Sequence, residues 1–96
     1  MKIILDGQTL TDRASVHVFF AEELQFPAYY GRNLDALYDL LSGWCEPLDI
    51  CVIYPDVLLE KLGNYGKALL KTLQEVSEEN QNLTFVISFE KIENNT

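Results

Sequence analysis

The chain is poor in the residues that most often carry chemistry. It has a single histidine, His17, a single tryptophan, Trp44, and two cysteines, Cys45 and Cys51. The cysteines are six positions apart and form no C-x-x-C pair, so a zinc site lacks ligands. In a reducing cytosol both are expected as free thiols. A Ser/His/Asp set and a glycine-rich phosphate loop are also missing. Basic residues are scarce, with 7 Lys and Arg against 15 Asp and Glu, for a net charge of −8. That balance disfavours nucleic acid and anionic membranes as direct partners and favours cationic ones. No apolar run approaches the ~20 residues of a membrane span. The start, MKIILDGQTLTD, turns polar after three consecutive apolar residues, too short a run for a secretion signal. The expectation is a soluble cytoplasmic protein with no cofactor or metal, in which the glycosylation patterns at Asn82-Leu83-Thr84 and Asn94-Asn95-Thr96 go unused.

What is present suffices for one small core. A chain of 96 residues, 48% of them hydrophobic, defaults to one folded domain. It buries roughly 60–70% of the surface its unfolded form exposes. The domain is expected over residues 1–89, followed by a polar tail, 90–96, that frays.

Lys2 to Gly7 is a short apolar run closed by a turn, hence a strand. From about Ser15 to Gln25, Val16, Phe20 and Leu24 recur at spacing four and define a helix, with Ser15 or Asp12 as candidate N-cap. Pro27 ends it. Asn33 can cap a second helix carrying Leu34, Leu37 and Leu41 on one face and stopped by Gly43. Asp49 to Tyr54 is an apolar, β-branched run, a second strand. Pro55 suits the first turn of a short helix over Asp56 to Leu62, broken by Gly63 or by the Gly63–Gly66 stretch. Lys67 to Glu79 is amphipathic, with Leu69, Leu73 and Val76 facing in and Lys71, Glu75, Glu78 and Glu79 facing out. Leu83 to Phe89 is a third strand. The order β-α-α-β-α-α-β predicts an α/β fold, a small three-stranded parallel sheet packed by about four helices. The strands are nearly continuously apolar, which predicts a sheet covered on both faces.

The second helix draws attention. Asp35 and Asp39 lie one turn apart, about 40° around the axis, on a face turned away from the leucines. Asp35 complements the helix dipole in the first turn. Asp39 has no such role, and like charges at this spacing repel. The window 21–49 holds Glu22, Glu23, Asp35, Asp39, Glu46 and Asp49 against Arg32 alone. Tyr29, Tyr30, Tyr38 and Trp44 surround the pair, and protein interfaces enrich Tyr and Trp. Tyr30 is expected to be buried, and His17 to be a surface or packing residue. For most helices an acidic face is only a solvated face, but the aromatic surroundings favour a docking surface for a cationic partner. A hydrolase using the carboxylate pair is a third reading, weakened because an exposed helix face offers none of the burial that would hold an acid protonated. Two aspartates also supply too few oxygens for Mg²⁺ or Ca²⁺.

The run Tyr29-Tyr30-Gly31-x-Asn33-Leu34-Asp35-Ala36-Leu37-x-Asp39-x-Leu41-x-Gly43-Trp44 resembles the signature of the barstar family, intracellular inhibitors of guanyl-specific secreted ribonucleases. The likeness extends from Ile3-Ile4-Leu5-Asp6-Gly7 through His17 and Leu24-x-x-Pro27 to Leu83–Ser88, roughly positions 1 to 88. It implies the same three-stranded parallel fold. It also implies a partner-binding set of Tyr29, Gly31, Asn33, Asp35, Tyr38, Asp39, Gly43 and Trp44, with Glu75 on the last helix. In such inhibitors Asp39 would enter the cationic pocket that holds an RNA phosphate, and Asp35 would meet a second basic group. The implied partner is a basic, extracellular-type, barnase-like ribonuclease bound 1:1 by a free monomer. Tyr38 stands where the founding member has a tryptophan, Cys45 replaces a valine, and one residue is missing near Pro47. The alternative is a barstar-like acidic module for a cationic partner that is not a ribonuclease.

Overall fold

The structure is a computed structural model that describes residues 1–88. Phe89, expected to close the third strand, and the expected tail 90–96 lie outside the described residues. The elements run β1 (Lys2–Asp6), α1 (Arg13–Leu24), α2 (Leu34–Ser42), β2 (Leu48–Ile53), α3 (Pro55–Leu62), α4 (Asn64–Glu79) and β3 (Leu83–Ser88). The strands form one sheet in the order β1-β2-β3. Both pairings are parallel, with Ile4 opposite Cys51 and Cys51 opposite Val86. The α/β order expected from the sequence is the observed one.

Each helix start has a local cause. Asp12 is the N-cap of α1, in a capping box: its Oδ1 accepts from Ser15 N at 2.8 Å, and its own N–H donates to Ser15 Oγ. Both candidates for that cap therefore act, and the helix begins two residues earlier than the apolar spacing suggested. Pro55 opens α3 behind Tyr54, which adopts a left-handed conformation (φ 52°) and so ends β2 one residue early. Gly63 alone separates α3 from α4, at φ 59° and ψ −132°, a region open essentially to glycine. Gly66 does not break the chain. It lies buried inside α4, where an added Cβ would come 3.1 Å from Leu62 Cβ, so its missing side chain permits close packing of α3 on α4.

The inner face of the sheet carries Ile3, Leu5, Leu48, Ile50, Val52 and Leu83, all buried. They join one core with Phe20 of α1, Leu37 and Leu41 of α2, Leu58 of α3, and Leu69, Leu73 and Val76 of α4. Truncating any one of the fully buried leucines to Ala should cost about 2–5 kcal/mol. The outer face differs from the expectation of a doubly covered sheet. Ile4 is 46% exposed and Val86 56% exposed, and Lys2, Asp49 and Thr84 are exposed beside them. The topology explains this. Each crossover advances one strand in the same direction, so right-handed connections carry all four helices to one face. Asp49 Oδ1 accepts from the Thr84 hydroxyl across the open face.

Candidate functional site

Helix α2 and the loop before it build the site. The fully buried Leu37 and Leu41 anchor α2, with Leu34 half-buried. That anchoring turns Asp35 and Asp39 to the surface, where both are exposed. Asn33 is the N-cap: its Oδ1 accepts from Ala36 N at 2.7 Å, and its amide donates to Gly31 O at 3.3 Å. One side chain thus fixes both the helix start and the loop. Arg32 adopts a left-handed conformation, φ 57°.

The loop is tied down by a triad of two buried residues, His17 and Tyr30, and the half-buried Tyr65. Tyr30 is buried, as expected, and its hydroxyl lies 2.5 Å from His17 Nδ1. His17 Nε2 pairs with the hydroxyl of Tyr65. His17 is only 1% exposed, so it packs in the core rather than at the surface. A neutral imidazole has one donor and one acceptor nitrogen, and the two phenols satisfy both. Burial, and secondarily the charge of Arg32, lowers the pKa of His17. Burial raises the pKa of both tyrosines.

Above this anchor, Tyr29 is 82% exposed. It lines a hollow of about 200 Å³ together with Tyr30, Gly31, Ala36, Asp39 and Leu40. The structure therefore gathers Tyr29, Gly31 and Asp39 around one concavity, with Asp35 on the same helix and Asn33 as the cap beneath. Tyr38 lies half-buried toward α4, its hydroxyl donating to Glu79 Oε1. Gly43 is the C-cap of α2. Trp44 is half-buried, with its ring centroid 6.5 Å from that of Phe26. Glu75 is exposed on α4, one turn before Glu79.

Sequence reasoning missed Asn80. Its amide nitrogen donates to Leu41 O and Trp44 O, each at 2.9 Å, and reaches Ser42 O at 3.3 Å. It thereby adds a second donor to Leu41 O, which also accepts from Trp44 N, and to Trp44 O, which also accepts from Asn82 Nδ2, and ties the end of α2 to the end of α4. Nothing in the sequence pattern marks a residue nearly 40 positions away as that cap. Among the described residues, no group of three or more His, Cys, Asp and Glu could hold a metal ion. No helix there is long and apolar enough to cross a membrane.

The structure defines a small α/β domain that presents an acidic helix beside an aromatic loop. The chain matches the family model described as Barstar (barnase inhibitor) over residues 1–90. It is 40% identical over 79 residues to the "Putative ribonuclease inhibitor YrdF" of Bacillus subtilis (strain 168), an alignment covering 81% of this chain and 87% of that protein. The chain belongs to the barstar family.

Proposed function

We propose that this protein is a non-enzymatic, immunity-type inhibitor of a ribonuclease, acting in the cytoplasm. It occludes the enzyme's active site with α2 and the Tyr29–Asn33 loop. The observation that carries this reading is the hollow in which Asp39 meets Tyr29 and Gly31. An enzyme that cleaves RNA stabilises a phosphate-centred transition state with cationic groups. Asp39 offers those groups a carboxylate in place of the phosphate, with no bond to cleave. Asp35 takes a second basic group, Tyr29 supplies a rigid apolar anchor, and Gly43, Trp44 and Glu75 form the rim. The mutual repulsion of Asp35 and Asp39, a few tenths of a kcal/mol in the free helix, is relieved when the enzyme supplies Arg, Lys or His⁺.

The test is RNA cleavage by a barnase-type ribonuclease, titrated with the wild-type protein and with Asp39→Ala. Wild type should inhibit with a 1:1 end point. The variant, folded by circular dichroism, should bind at least about 2 kcal/mol more weakly, roughly 30-fold. Equal inhibition by both would remove Asp39 from the mechanism. Absence of inhibition by wild type would shift the reading to another cationic partner for the same acidic surface.

A further inference from the structure

The chain's two arginines, in a protein of net charge −8, converge on one cleft. Arg13 opens α1, and Arg32 precedes the cap of α2. With Ala14, His17, Asn33 and Tyr65 they line a space of about 290 Å³. Three helices, α1, α2 and α4, begin at its walls, adding the positive ends of their dipoles to the two full charges.

The neutral polar groups of the cleft are already engaged. Asn33 is committed to Ala36 N and Gly31 O. Both nitrogens of His17 are held by tyrosine hydroxyls. Asp12, the carboxylate next to Arg13, is turned to Ser15 N at 2.8 Å. No carboxylate lines the cleft, and among the described residues neither guanidinium has an ion-pair partner. Arg13 lies 4.5 Å from the centroid of the Tyr65 ring. That contact attracts the charge but supplies no oxygen acceptor. Two planar N–H forks lining one cleft are therefore open.

We propose that this cleft binds the phosphate group of a small phosphate monoester. Guanidinium forks match oxyanions bidentately. Phosphate is favoured over carboxylate because a monoester carries about −1.5 to −2 charges at pH 7 and compensates both arginines. A carboxylate would leave one uncompensated. A single small ester is favoured over RNA because the rest of the chain repels a polyanion. The cleft adjoins the hollow at Asp39, the Tyr29–Asn33 loop giving Arg32 and Asn33 to the one and Tyr29 to Gly31 to the other, and its test on the free protein does not depend on which ribonuclease the protein inhibits.

The experiment is an amide ¹⁵N–¹H NMR titration of the full chain with phenyl phosphate. Ionic strength is held constant with chloride, and a parallel arm uses acetate. Saturable shifts centred on Arg13, Ala14, Arg32 and Asn33 are expected, with acetate at least about tenfold weaker. Arg13→Gln/Arg32→Gln should abolish saturation while its spectrum remains that of a folded protein, both side chains being exposed. Arg32→Lys, which keeps the charge and loses the fork, should weaken binding. Non-saturating shifts, equal binding by the double variant, or acetate binding as tightly as the ester would each overturn the proposal.

Discussion

His17 Nδ1 and the hydroxyl of Tyr30 stand 2.5 Å apart in the buried interior, joining α1 to the loop that carries the acidic site. The other ring nitrogen reaches Tyr65 at the start of α4. One imidazole therefore fastens three segments that the chain brings from 13 and 48 residues away. Replacing His17 with Phe keeps the ring but strands the buried Tyr30 hydroxyl and the part-buried Tyr65 hydroxyl. Each unmet group costs about 1–3 kcal/mol. The midpoint of urea unfolding should drop accordingly, and amide exchange should quicken at Tyr29 to Gly31. An unchanged midpoint would mean that water replaces the imidazole at no cost.

The same triad sets a pH dependence. His17 faces the Tyr30 and Tyr65 hydroxyls with Arg32 nearby, and its pKa is lowered in the fold from 6.5. A base with a depressed folded-state pKa takes its proton more readily when unfolded. Stability is then complete above pH 6.5 and is lost as pH falls from there toward the folded-state value. The slope is at most about 1.4 kcal/mol per pH unit for one proton. Unfolding followed from pH 8 down to about 5, above most carboxylate titration, should show this loss. His17→Gln should flatten it.

Asn80 gives a prediction about the far end of α2. Asn80→Ala removes one donor from Leu41 O, which keeps Trp44 N, and one from Trp44 O, which keeps Asn82 Nδ2, for an expected loss of about 0.5–1.5 kcal/mol. Asn80→Asp should be worse, since a carboxylate oxygen would face those carbonyls. The tryptophan fluorescence of Trp44 should report loosening of the Gly43–Trp44 rim in both. A variant as stable as wild type would assign the cap to Trp44 N and Asn82 Nδ2 instead.

These dependences mark where the sequence was legible. Apolar spacing located α1, α2 and α4 because Val16, Phe20, Leu37, Leu41, Leu69 and Leu73 recur at helical intervals and are all fully buried. The same spacing turned Asp35 and Asp39 outward, which is where they lie. The open sheet face was not legible. Ile4, Cys51 and Val86 are as apolar as their inner-facing neighbours, and only the strand order reveals that, among the described residues, no helix crosses behind them. His17 and Asn80 were illegible for a different reason. Their partners are distant in sequence, and a hydrogen bond leaves no periodicity.

Asp39→Asn separates stability from binding. In the free protein it removes the repulsion with Asp35 one turn away, so thermal stability should hold or rise by a few tenths of a kcal/mol. Inhibition of the ribonuclease should nevertheless weaken, because the amide carries no charge. A variant that loses stability and inhibition together would place Asp39 in the fold rather than in the interface.

Association with the enzyme should be steered by charge. The window 21–49 carries six acidic residues against Arg32, and a cationic active site would feel that field before contact. Raising salt from about 0.01 to 1 M shortens the screening length from about 30 to 3 Å, and stopped-flow association rates should fall across that range. Dissociation should change far less, since contacts once made exclude the screening ions. Arg32→Glu makes the prediction sharper. It removes the only base in the window and adds an acid, so association at low salt should accelerate, and the two proteins should converge in rate at high salt. A rate for Arg32→Glu equal to wild type at low salt would mean that the encounter is governed by shape rather than by the field of this face.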